Sequence, residues 1–210
     1  MSKFTNHLKT DMTHRKWVRH YCFKAGMYWQ GLTHDLSKYN PTEFLESVKY
    51  YQGNRSPIDA CKEDKGFSQA WFHHKSHNKH HREFWTDNYD KGTSCIPMPK
   101  QYAKEMLCDF LGAGRAYSRE RFTYQDEWFW WLNQLNRNIC IHPMTAYFIT
   151  DVLYGLNKYT EDADIILHYL DMFYADAETW WSKREDIYPN TYFGRSLDFK
   201  DIIINAITGE

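Results

Sequence analysis

The stretch "THDLSK" at residues 33 to 38 sets an imidazole, a carboxylate and, three residues on, an ammonium in one short segment. Such a trio could hold a metal ion through His34 and Asp35 and neutralise an anion through Lys38. With 11 histidines among 210 residues, chance alone also supplies about one His-Asp neighbour pair, so the segment needs company. Residues 73 to 81, "HHKSHNKHH", provide it, with five histidines in nine positions. Imidazoles three or four residues apart on a helix share a face and can converge on one ion. Two faces compete: His73, His77 and His80 lie on one, and His74, Asn78 and His81 on the other. Trp71 and Trp85 flank the second face and predict that His74 and His81 are the buried pair. An exposed, solvated basic helix is the bland alternative.

Asp109 poses a related question, because its helical neighbours Met106, Phe110 and Ala113 are largely apolar and an unpaired carboxylate is costly to bury among them. A metal ion, a helix N-terminus or a salt bridge to Lys or Arg would each satisfy it. His14 stands in a similar apolar setting, beside Val18 and Cys22. A hydrogen-bonded core histidine is the ordinary reading there.

The elements that must position these residues read as helices. Asp11, His14, Val18, Tyr21, Cys22 and Ala25 form one stripe at three- and four-residue spacing, which predicts a helix over 11–25 ended by Gly26 or Gly31. "YNPTEF" carries a helix start, with Asn40 as N-cap, Pro41 at the first helical position and Glu43 placed for a capping box, and this helix runs to about Tyr51. The polar stretch up to Gly66 reads as a surface connection. Helix is expected over 67–85, although Ser76, Asn78 and Thr86 interrupt its pattern. Another starts near Lys100, after Pro97 and Pro99, and its Gly112, Ala113 and Gly114 let a neighbouring helix approach closely. Further helices are predicted over 127–136, 143–156, 161–183 and 199–206, with Trp128, Trp131, Leu132 and Leu135 facing a core. Period-two alternation is scarce, so the expected fold is all-α: a single compact helical domain of about seven to nine helices.

Composition narrows the classes. Lys and Arg number 26 against 27 Asp and Glu, a formal charge of -1, which argues against an extended nucleic-acid surface. Aromatic residues make up 18 %, enough buried area per residue to oppose disorder. The five cysteines are widely spaced and lack a C-x-x-C pair, so reduced thiols of a cytoplasmic protein are expected. No apolar run approaches a membrane span of about 18 residues. Association into a homo-oligomer is left open.

Taken in order, His14, His34-Asp35, the histidine cluster and Asp109 resemble the H…HD…H…H…D series of the HD-domain superfamily of metal-dependent phosphohydrolases. "HDLSK" is similar to its HD-x-x-K form, in which the Lys approaches a substrate phosphate. Beyond these residues, "GLTHDLSKYNPTEF", "AWFHHKSHNKHHREFW" and "PMPKQYAKEMLCDFLGAG" resemble a family of bacterial and phage proteins with no assigned reaction. The closer resemblance covers about residues 7 to 160. It implies an HD-like metal-binding core over 1–160, with 161–210 as a helical extension packed on the same domain.

The resemblance further implies one or two divalent ions (Mn, Mg, Fe, Ni or Zn) held by His14, His34, Asp35 and Asp109, with His74 and His81 as added ligands. Asp35 would also activate water, Lys38 would neutralise phosphate, and His80 would protonate the leaving oxygen or join a second ion. The implied activity is hydrolysis of a small phosphate ester, a nucleotide above all. Two other readings use the same residues: an HD-type oxygenase with a mixed-valent diiron centre, favoured by the surplus of histidines, and a non-enzymatic nucleotide- or partner-binding protein with a structural metal site.

Overall fold

The computed structural model describes residues 2–89, 92–184 and 194–209. Among them the chain is all-α, with eleven helices: α1 Lys3–Lys24, α2 Tyr28–Thr33, α3 Pro41–Tyr50, α4 Pro57–Lys65, α5 Gln69–His77, α6 Lys100–Ser118, α7 Tyr124–Asn136, α8 Pro143–Lys158, α9 Ala163–His168, α10 Leu170–Ser182 and α11 Lys200–Thr208. A small antiparallel hairpin, β1 Thr86–Tyr89 and β2 Gly92–Cys95, is the one sheet among the described residues.

The helix count exceeds the expected seven to nine for local reasons. The segment read as a surface connection folds into α4, with Pro57 in its first turn and Gly66 closing it at φ 80°. The single helix expected over 161–183 divides at Tyr169, whose backbone has left the helical region. The helix expected over 67–85 stops at His77, where Asn78 is extended; a short 3-10 turn over Arg82–Trp85 and then the hairpin replace its second half. A short α2 fills the gap between Gly26 and His34.

The core is built on α6. Val18, Tyr21 and Cys22 of α1 pack with Leu107, Cys108 and Leu111 of α6 in one cluster of buried residues. At Gly112 an added Cβ would lie 2.4 Å from Val18 Cγ2 and 2.9 Å from Val18 N, so only glycine lets the two backbones come this close. At Gly114 an added Cβ would meet the carboxylate of Glu127 on α7 and the Phe122 ring, side chains and not a neighbouring backbone. The cluster continues through Trp128, Trp131 and Leu135 of α7 and Phe148, Ile149, Val152 and Leu153 of α8 to Leu170, Tyr174 and Ala177 of α10 and Ile203 of α11.

The expectation of five reduced thiols is corrected. Cys95, at the end of β2, is bonded to Cys140, just before α8, with Cα atoms 6.4 Å apart, and Cys22, Cys61 and Cys108 are free and buried. Sequence spacing could not reveal this pair, because it depends on where the hairpin docks. No helix of the described residues is long and apolar enough to cross a membrane.

Candidate metal centre

Four segments deliver the polar residues to one place. α1 presents His14 from its buried stripe, together with Asp11 and Val18. α2 ends at His34, and Asp35 adopts a left-handed conformation at φ 55°, ψ 27° before a 3-10 turn over Leu36–Tyr39. Neighbours in a regular helix diverge by about 100°; ending the helix between these two lets both side chains enter the same site. The unusual backbone is held in place by Arg15, which donates from Nε to the His34 carbonyl at 2.8 Å, and by Lys38 N–H donating to the Asp35 carbonyl at 3.1 Å.

The histidine-rich segment is built differently from the continuous helix expected over 67–85. α5 carries His74 inward, 3 % exposed, but its end at His77 cancels the helical phase, and His80 and His81 arrive from the turn beyond it. His80 is therefore inside at 2 % exposure, although a continuous helix would put it with His73 on the outer side. Asn78 braces the turn by donating from Nδ2 to Ser37 Oγ at 2.7 Å and to the His74 carbonyl at 2.8 Å. His77 is exposed and stacks on the half-buried His73. Trp71 does flank the inner histidines, its ring centroid 5.0 Å from that of His81.

Two groups of four side chains result, and Asp35 belongs to both. In the first, Asp35 Oδ2 lies 3.4 Å from His14 Nε2 and 3.3 Å from His34 Nε2, while Asp109 Oδ1 lies 3.0 and 3.3 Å from the same two nitrogens. In the second, Asp35 Oδ1 lies 3.4 Å from both His74 Nε2 and His80 Nε2, with His81 completing the group. Each group offers ligand atoms within 4.8 Å of one another. Tetrahedral ligands about 2 Å from an ion stand roughly 3.3 Å apart. The Nε2 atoms of His14, His34, His80 and His81 and Asp35 Oδ1 are buried without a hydrogen-bond partner. Buried polar atoms are seldom left so, and their convergence fits one or two metal ions.

The opposite faces of the rings are hydrogen-bonded. His34 Nδ1 donates to Glu105 Oε1 at 3.0 Å, His80 Nδ1 lies 3.2 Å from the same oxygen, and His74 Nδ1 donates to Glu43 Oε2 at 2.7 Å. A carboxylate on Nδ1 fixes the tautomer that leaves Nε2 free as a ligand. His34, His80 and Glu105 also make a third compact group, but there the contacting atoms are these Nδ1 donors.

A family model for a family of unknown function, DUF5662, matches residues 3–154, most of the chain. The chain belongs to DUF5662. Every residue of both four-membered groups falls inside that match, as do Lys38, Glu43 and Glu105. No curated protein and no solved structure matches the chain.

The electrostatics of the DUF5662 site follow from burial and pairing. Burial opposes ionisation of Asp35, but His34, Lys38 and His74 hold its carboxyl well below the usual range. Burial likewise opposes ionisation of Asp109, and His14 and His34 keep it ionised. The His34 ring is disfavoured as a cation by burial, yet Asp35, Asp109 and Glu105 raise its pKa well above the ordinary value. His81 has the reverse balance: burial, then His80 and His74, hold it well below. Lys38 Nζ lies 2.7 Å from Asp35 Oδ2, and its pKa is raised by Asp35 and Asp11 against the effect of burial. A cavity of about 200 Å³ opens onto His14, Asp35, Lys38, His74, His81 and Asp109. A larger cleft of about 750 Å³, between α1 and α2, touches none of the proposed ligands.

Glu43 and Glu105 escape sequence reasoning for different reasons. Glu43 stands where a capping box would have it cap its own helix, but Asn40 alone accepts from Thr42 N–H, and Glu43 turns inward to His73 and His74. Glu105 lies one turn before Asp109, and that i, i+4 carboxylate pair on a buried face is the available signal.

Proposed function

We propose that this DUF5662 member is a metal-dependent phosphohydrolase of HD-like type, acting on a small phosphate ester such as a nucleotide. The observation that carries the proposal is the sharing of Asp35 between two ligand groups in which the Nε2 atoms of His14, His34, His80 and His81 are buried without a hydrogen-bond partner. His14, His34, Asp35 and Asp109 would hold one divalent ion, and Asp35, His74, His80 and His81 a second. Such an ion lowers the pKa of water and polarises a phosphoryl oxygen. Lys38, half-buried at the edge of the cavity, offers a compact positive charge to the phosphate. His80 is assigned to the second ligand group and not to leaving-group protonation, since its Nε2 faces Asp35 Oδ1 and its Nδ1 faces Glu105.

The test is elemental analysis of purified protein together with phosphate release from a panel of nucleotides and sugar phosphates under Mn, Mg, Fe, Ni and Zn. Bound metal with metal-dependent release supports the proposal; a metal-free protein inert with every ion overturns it. The histidine-rich second group favours one further reading, a diiron oxygenase. Iron as the bound metal, colour after aerobic purification and oxygen uptake without phosphate release would select it.

A further inference from the structure

Apart from Glu43 and Glu105, which hold the histidine rings, two further buried polar residues near the metal centre belong to neither ligand group. His7 and Asp11 occupy successive turns of α1, below His14, at 5 % and 6 % exposure. Asp11 Oδ2 lies 3.2 Å from His7 Nε2 without hydrogen-bond geometry, and both Asp11 Oδ2 and His7 Nδ1 are buried without a hydrogen-bond partner. Leaving a buried carboxylate oxygen and an imidazole nitrogen without hydrogen bonds is costly. A purely structural pair would be expected to close on itself. Here the two approach without a hydrogen bond, and both line a cavity of about 80 Å³.

That cavity adjoins the one at the metal centre: Thr10, Asp11, Lys38, Ser56, His74 and Tyr117 line both. Lys38 therefore stands where the two meet. The metal side of it carries the ligand groups and suits an anion. The other side carries Asp11, which repels phosphate but accepts hydrogen bonds from hydroxyl groups. Burial, ahead of its charged neighbours, lowers the pKa of His7, so its ring is neutral near pH 7 and adds one more hydrogen-bonding nitrogen. At about 80 Å³ the cavity is a small site with room for several waters. It accommodates a few hydroxylated carbons.

We propose that His7 and Asp11 form a hydroxyl-binding subsite selecting phosphate esters whose organic part bears neighbouring hydroxyls, a sugar or polyol phosphate, with its phosphate at Lys38. The placement of the phosphate rests on the phosphate-ester reading of the metal centre. The subsite itself rests on the unpartnered pair and its cavity.

The experiment is calorimetric titration of the metal-reconstituted full chain with ribose 5-phosphate and with n-pentyl phosphate, which has the same charged group without hydroxyls. Wild type should bind the hydroxylated ester about ten- to a hundredfold more tightly, as expected for hydrogen bonds to a charged or buried group, and Asp11→Asn and His7→Gln should each remove most of that preference. Thermal melts establish that each variant is folded. Equal affinity for the two esters in wild type, or a preference that survives in both folded variants, overturns the subsite. If neither variant folds, the wild-type comparison decides. Phosphate release measured in parallel separates the two ideas: preference without turnover retains the subsite and removes the hydrolase, and turnover without preference does the reverse.

Discussion

His14 Nε2 stands 3.0 Å from Asp109 Oδ1, although the two side chains come from different helices, α1 and α6. The approach depends on residues one turn further along each helix. Val18 of α1 lies against Gly112 of α6 so closely that a Cβ at 112 would sit 2.4 Å from Val18 Cγ2. Packing of the core and assembly of the first ligand group are thus one geometric fact.

Gly112→Ala should therefore be felt in both. The added methyl meets Val18 backbone as well as side chain, and overpacking of this kind costs about 1–3 kcal/mol. The thermal midpoint should fall, and the metal content of the folded protein should fall with it. Unchanged stability would show that α1 and α6 can separate without penalty.

Asp35 is shared, so Asp35→Ala should reduce metal content at both groups, whereas His81→Ala should affect the second group alone. Elemental analysis of the two variants, with circular dichroism to establish folding, distinguishes these outcomes. A full complement of metal in Asp35→Ala would reduce "THDLSK" to the coincidence that chance allows.

Lys38→Ala should retain metal and lose affinity for phosphate, because its ammonium pairs with Asp35 and cannot itself ligate an ion while protonated. The comparison is inorganic phosphate affinity against metal stoichiometry in the same preparation. Loss of the metal together with the phosphate would show that Lys38 chiefly holds Asp35 in place.

Glu105→Gln leaves every proposed ligand intact but weakens the acceptor that orients His34 and His80. Loss of such a partner costs about ten- to a hundredfold in metal affinity or activity. Titration with a competing chelator measures it. Wild-type affinity would mean that packing alone sets the ring orientations.

His142 provides a pH-dependent test away from the metal centre. It caps α8 by accepting from Met144 N–H through Nδ1, and burial pushes its pKa down to about 4. The unfolded value is about 6.5, so between pH 6.5 and 4 the unfolded chain binds more protons than the folded one. Stability should be full above about 6.5 and decline as pH falls through this window, by on the order of 3 kcal/mol in total. His142→Asn keeps a capping acceptor that does not titrate. Melts of both proteins from pH 4 to 7 should therefore diverge toward wild-type loss at low pH, the shared metal-site histidines cancelling in the difference. Parallel curves would exclude His142 as a source of acid sensitivity.

Much of this protein is legible from the order of its residues. The α1 stripe, the Asn40-Pro41 start of α3, the Lys100 start of α6 and the small-residue contact at Gly112 follow from side-chain spacing and local backbone preference, which act over a turn or two. So does the all-α class. His34-Asp35, His14 and Asp109 could be named as one group only through resemblance, since nothing local reveals that α1, the end of α2 and α6 meet.

The tertiary structure decided the rest. The helix period left His80 outside, but α5 stops at His77 and the turn after it brings His80 inward beside His74 and His81; Asn78, bonded to Ser37 and the His74 carbonyl, braces this helix end. Glu43 turns to the imidazoles of His73 and His74 and not to its own helix cap, and Cys95 meets Cys140 only because the hairpin docks beside α8. These outcomes depend on groups distant in sequence competing for the same buried hydrogen bonds and space, and such competition has no signature in local spacing.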